Sequence, residues 1–92
     1  MATDLISPHE VRLLLVFWRR ADEWLTNNVL AKEAEVSPRT ARAHTDRLVK
    51  LGVLEEQRLY PGPVFRLADE PGEEAREYLE RVEKARAIFR LE

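Results

Sequence analysis

The sequence predicts a mainly helical fold that carries one short β-hairpin. Three observations lead there. Two segments open on Ser-Pro, at Ser7-Pro8 and Ser37-Pro38, and each runs on into a helical pattern. Two strand-like runs, Val53–Leu59 and Val64–Leu67, flank the turn-forming Tyr60-Pro61-Gly62-Pro63. A last stretch rich in Glu, Arg and Lys repeats its apolar residues at helical spacing.

The first helix is expected over residues 7–21. Ser7 serves as N-cap, Pro8 takes the first position, where a missing N–H costs nothing, and Glu10 is placed to reach back and complete a capping box. Val11, Leu14, Leu15 and Trp18 form one apolar face, and Leu13, Val16 and Phe17 a second, roughly opposite one. A helix apolar on both sides must be covered on both sides. One side can meet the domain's own core; the other needs a further helix or another chain.

Thr26 caps a short second helix, Asn27 to Glu35, whose inward stripe is Leu30, Ala31 and Ala34. Val36 anchors the turn into Ser37. The next helix has both ends marked. Ser37 offers its hydroxyl to an unpaired backbone N–H. Pro38 fits the first position, and Gly52 suits the left-handed residue that closes a helix. At about 100° per residue, Ala41, Thr45 and Leu48 share one face, and Arg39, Thr40, Ala43, Arg47 and Lys50 the opposite one. Arg42 and His44 sit on the borders. A helix, a short turn and a capped basic helix over residues 26–52 have helix-turn-helix spacing. A basic face with a small residue at its middle can enter a major groove.

The hairpin is expected over 53–67. Pro61 and Gly62 at the second and third places favour a type II turn. Phe65 and Leu67 should point inward and Arg66 outward, while Glu55 and Glu56 face away or pair with Arg58. The last helix is expected over 71–91, with Ala75, Tyr78, Leu79, Val82, Ala85, Ile88 and Phe89 on one face and many Glu–Arg and Glu–Lys neighbours on the rest.

Composition narrows the function. The 92 residues suit one small domain, 1–92, whose core is marginal enough that oligomerisation is a common remedy. The net charge is −2, but it is unevenly spread. Residues 37–67 hold six basic side chains against three acidic ones, and residues 68–92 hold five against eight. A basic surface and an acidic last helix therefore cancel in the sum while acting at different places. There is no cysteine, so no disulfide frame or thiolate metal site is available. The longest apolar run, Leu13 to Trp18, is far too short to cross a bilayer. The N-terminal residues lack a secretory-leader pattern, so the expected location is cytoplasmic, away from membranes.

His9 and His44 have no third ligand at useful spacing, and neither a metal nor another cofactor is expected. Trp18, Trp24, Tyr78 and Phe89 are needed for the core and an interface, which makes a small-molecule effector unexpected. No nucleophile with a supporting base and no Gly-rich phosphate loop is present, so the chain does not read as an enzyme.

From Thr26 to Leu67 the chain resembles the winged helix-turn-helix domains of prokaryotic transcription regulators. The likeness is carried by Leu30-Ala31, Val36-Ser37-Pro38-Arg39-Thr40-Ala41-Arg42, Leu48, Leu51-Gly52-Val53-Leu54-Glu55 and the wing ending Val64-Phe65-Arg66-Leu67-Ala68. The whole order, α1 (7–21), α2 and α3 (within 26–52), wing (53–67) and α4 (71–91), is similar to small dimeric regulators, in which the last helix often pairs between subunits. One departure is Thr45, where many relatives carry Leu; it would pack less tightly or bond a backbone carbonyl.

The resemblance implies sequence-specific binding of double-stranded DNA by a homodimer on an inverted-repeat operator, as a repressor or autoregulator. The expected DNA-binding residues are Ser37, Arg39, Thr40, Arg42, Ala43, His44, Arg47, Lys50, Arg58 and Arg66. Arg39 and Arg47 suit base edges, because the arginine fork matches guanine O6 and N7. Thr40 and Lys50 suit phosphates, His44 the groove edge, and Arg58 and Arg66 the backbone or minor groove beside the wing. The expected dimer interface is Leu13, Val16, Phe17, Tyr78, Leu79, Val82, Ile88 and Phe89. The alternative is a winged-helix module that binds protein, an assembly factor or inhibitor, and makes no use of DNA.

Overall fold

The structure is a computed structural model that describes residues 7–89. The elements run α1 (Pro8–Arg19), α2 (Asn27–Ala34), α3 (Pro38–Leu51), β1 (Leu54–Arg58), β2 (Pro63–Leu67) and α4 (Glu73–Phe89). The expected mainly helical order with one hairpin is therefore present. Residues 90 and 91 of the expected last helix lie outside the described residues.

Each of the first three helices begins where a hydroxyl can take up an orphan amide. Ser7 Oγ accepts from the His9 N–H at 3.1 Å, Thr26 Oγ1 from Val29 at 3.2 Å, and Ser37 Oγ from Thr40 at 3.0 Å. The Cα-reversing ends are equally local. Glu35 (φ 60°) closes α2 and Gly52 (φ 90°) closes α3, both left-handed. The first helix stops at Arg19, a little short of expectation, because the chain turns through Asp22 at φ 71°.

Glu10 departs from its expected role. Its side chain makes no capping box; it turns into the protein and is 1% exposed.

The core is built from Val11, Leu14, Leu30, Ala41, Leu48, Val53 and Phe65, all buried. Thr45 is also fully buried. Its hydroxyl lies 3.1 Å from both the Arg42 carbonyl and Asn27 Oδ1, so its one proton is shared between acceptors on α3 and α2. That satisfies a polar group which would otherwise be costly to bury, and it fastens the start of α2 to the middle of α3.

The expected dimer interface needs correction. α1 touches α2, α3 and α4 of its own chain. Leu13, Val16 and Phe17 are buried by that packing, as are Tyr78 and Val82 on α4. The α1 stripe and the Tyr78–Val82 part of the α4 stripe are thus covered within one chain, and these five residues have no surface left for a partner. Leu79 is half-buried against the core, and Ile88 stands 76% exposed. The side chain of Phe89 lies outside the described structure.

β1 and β2 pair antiparallel with Leu54 opposite Leu67, Glu55 opposite Arg66 and Glu56 opposite Phe65. A single extra bridge ties the hairpin to the helices. Leu25 and Phe65 exchange both backbone hydrogen bonds at 2.8 Å, just ahead of α2. The turn is not the expected type II. That turn requires a positive φ at its third residue, and Gly62 does not have one; the Tyr60–Pro61 peptide is cis.

Candidate nucleic-acid interface

α3 presents the outer surface that its helical phase predicts. Ala41, Thr45 and Leu48 are buried, while Arg39, Arg42, Ala43, Asp46, Arg47 and Lys50 are exposed. Ala43 keeps the middle of this face low, so a flat object can approach the backbone closely. At the N-terminal end, Ser37 holds the Thr40 N–H and its hydroxyl donates to Thr40 Oγ1 at 2.9 Å. Thr40's own hydroxyl proton stays available.

The cations on this face fall into two groups. The side chains of Arg39, Arg42 and Lys50 make no hydrogen bond or ion pair among the described residues. They are solvated charges on a rigid helix, free to exchange water for an anion. Arg47 is different. Its Nε donates to Glu10 Oε2 at 2.8 Å and its Nη2 reaches Glu10 Oε1 at 3.4 Å, yet its side chain remains 55% exposed. His44, expected at the groove edge, is turned inward: its Nδ1 lies 2.7 Å from the same Glu10 carboxylate. Against an ionised carboxylate, which only accepts, Nδ1 must carry the hydrogen. The Tyr78 hydroxyl also donates to Glu10, and the Arg47 guanidinium carbon sits 5.8 Å from the centre of the Tyr78 ring.

Glu10 is therefore a buried acceptor for donors from α3 and α4. Burial alone would push its carboxyl up, but hydrogen bonds from Arg47, Tyr78 and His44, with the Arg47 charge, outweigh that and hold it below the usual carboxylate range. Tyr78 moves the other way. Burial first, then its bond to the Glu10 charge, raises its phenol well above the ordinary value, so it stays a donor. This cluster was invisible in sequence, where Glu10 had a satisfactory local role as a capping residue. The histidines also come together, with ring centroids of His9 and His44 6.3 Å apart. No group of three His, Asp or Glu placed to hold a metal ion occurs among the described residues.

The wing splits its two arginines. Arg58 is 87% exposed near the tip, with Glu56 at 3.6 Å. Arg66, expected to point outward, is 24% exposed. It lies over the Trp24 ring at 4.5 Å and donates to Glu55 at 3.1 Å and Asp69 at 3.4 Å. The Arg66 bond, then the Asp69 N–H, holds the Glu55 carboxyl below its usual range. Arg66 thus braces the wing rather than offering a free charge.

Two surface features went unread in sequence. Asp46 shares the exposed face with Arg39, Arg42 and Ala43; its helical phase was available as a signal. A recess of about 360 Å³ lies between Arg42, the start of α2 at Asn27 and Asn28, and the wing tip at Tyr60 and Pro63. It brings together segments far apart in the chain.

No protein-family model matches the chain, and no curated protein is detectably similar to it in sequence. Solved structures do match its fold. The ST1889 protein of the thermoacidophilic archaeon Sulfolobus tokodaii superposes with a TM-score of 0.66 at 20% identity, covering 90% of this chain and 82% of the other. A possible transcriptional regulator from Methanosarcina mazei gives 0.62 at 15% identity, over 89% of this chain and 71% of its own. A MarR family protein from Bacillus stearothermophilus gives 0.56 at 19% identity, over 92% of this chain and 59% of its own. The chain has the winged helix-turn-helix fold seen in transcription regulators. Among the described residues, no helix is long and apolar enough to cross a membrane.

Proposed function

We propose that this protein binds double-stranded DNA by seating α3 in the major groove, and that it is a transcription regulator rather than an enzyme. The observation that carries the reading is the exposed face of a capped α3, where Arg39, Arg42 and Lys50 surround Ala43 without protein partners. Arg39 at the first turn reaches base edges. Lys50 and Thr40 take phosphates, aided by the amides at the Ser37 end of the helix. Asp46, on the same face, suits a cytosine amino group and would repel a phosphate. Arg58 follows the backbone beside the wing. The solved structures of regulators with this fold support the class.

We infer repression by occupying a promoter, since α3 seated in the major groove with the wing beside it would exclude another protein from the same duplex. We infer a homodimer on an inverted repeat, with recognition helices about 34–36 Å apart. The test is a mobility-shift assay on genomic fragments with a salt titration. A few fragments should be retained above the rest, and log affinity should fall with log salt at a slope of about −0.9 per neutralised phosphate. Equal retention of all fragments with no salt dependence would overturn the reading in favour of a protein-binding module.

A further inference from the structure

We propose that Glu10 and Tyr78, which lie behind α3, set its base preference by fixing the Arg47 fork. This rests on the DNA-binding reading above. A guanidinium has five N–H donors in one plane. Glu10 takes the edge formed by Nε and Nη2, at 2.8 and 3.4 Å. Three donors remain: both on Nη1 and the second on Nη2. One from each nitrogen forms the end edge of the fork, on a side chain 55% exposed beside Ala43, Asp46 and Lys50.

Tyr78 limits the guanidinium from its ring side, at 5.8 Å, and its hydroxyl holds Glu10 from α4. Glu10 itself is 1% exposed on α1 and has no freedom to follow a moving partner. A solvated arginine must surrender its rotamers when it meets a base. Arg47 has already given up part of this freedom to Glu10 on folding, and the donors Glu10 leaves unused sit on a side chain 55% exposed. A fork fixed in this way accepts the paired O6 and N7 of guanine at one step and rejects a base that lacks them. Glu10 and Tyr78 never touch DNA; they are positioning residues for specificity.

Selection of binding sites from a random duplex pool tests this with the full chain, comparing wild type, Arg47→Ala, Glu10→Gln, Tyr78→Phe and the double Glu10→Gln, Arg47→Ala variant. Wild type should enrich a site with one guanine position that Arg47→Ala no longer reads. Glu10→Gln should lose about tenfold in preference at that same position, with the other positions, the affinity for bulk duplex and the salt slope unchanged. The double variant should discriminate no worse than Arg47→Ala alone.

A role confined to stability would instead weaken all positions together, and that result overturns the inference. So does a Glu10→Gln variant that reads the position as wild type does, or an Arg47→Ala variant that changes no position. If Glu10→Gln fails to fold by circular dichroism, Tyr78→Phe decides: loss at the Arg47 position supports the inference, and an unchanged site overturns it. A wild type that enriches no sequence overturns the DNA-binding reading and this inference with it.

Discussion

Glu10 ties three elements together, because donors from His44, Arg47 and Tyr78 converge on one buried carboxylate. Its folded pKa lies below the ordinary 4.5, so its contribution to stability is full above that pH and is lost as the pH falls through the folded value. Acid titration of the melting temperature should therefore fall less steeply below pH 4.5 for Glu10→Gln than for wild type, leaving the part due to Glu55. Tyr78→Phe keeps the ring in the core and removes only the hydroxyl. It should destabilise by about 1.5–3 kcal/mol, the usual worth of a hydrogen bond to a charged group, measured by urea unfolding. Neither effect was readable beforehand. Glu10 sits three residues after a helix-capping serine, and a local role explained it fully without any knowledge of α3 or α4.

Helix ends and the hairpin behave as separate elements, and each has its own test. Gly52 closes α3 at φ 90°, and a Cβ built there would meet only Ala75 Cβ at 3.9 Å, an ordinary contact. The cost of Gly52→Ala is then one of backbone conformation, about 1–2 kcal/mol, and calorimetry should find it without loss of helix content. In the wing, the two arginines should separate cleanly. Arg58→Ala should flatten the salt slope of DNA binding by about 0.9, one phosphate contact. Arg66→Ala removes the charge shared by Glu55 and Asp69 and uncovers Trp24, so it should lower stability and leave the slope nearly intact. A slope change for Arg66→Ala equal to that of Arg58→Ala would return Arg66 to the DNA surface. The helices and strands themselves were legible, since caps, prolines and periodicity are local. The Leu25–Phe65 bridge was not: a single paired residue has no period.

At the scale of the whole molecule, the proposed dimer needs a surface other than the expected one. The stripes that suggested pairing, Leu13, Val16 and Phe17 with Tyr78 and Val82, are consumed by packing of α1 on α2, α3 and α4 of its own chain. Val82→Glu would therefore unfold the monomer rather than report on a dimer. Among the described side chains, Ile88 is the exposed large apolar residue of α4, 76% accessible near the end of the helix. Light scattering at micromolar concentration should give a dimer mass for wild type and a monomer mass for Ile88→Glu, with both proteins equally folded. A wild-type monomer would confine the inverted-repeat reading to assembly on DNA.

What the sequence determined by itself is everything whose physics is confined to a few neighbouring residues. Ser37-Pro38 and Gly52 set the limits of α3, and the 3.6-residue period sorted Ala41, Thr45 and Leu48 inward from Arg39, Ala43 and Lys50. Thr45 also met its expected fate, bonding the Arg42 carbonyl one turn back. Only the tertiary structure decided which charges are free. Arg47 and Arg39 share one face and one chemistry in the sequence; a carboxylate 37 residues away engages the first and leaves the second in water. Arg66 and Arg58 differ for the same reason, through Trp24 and Asp69. Periodicity tells which way a side chain leaves its helix or strand. What it meets there depends on distant segments brought within a few ångströms by the burial of the core.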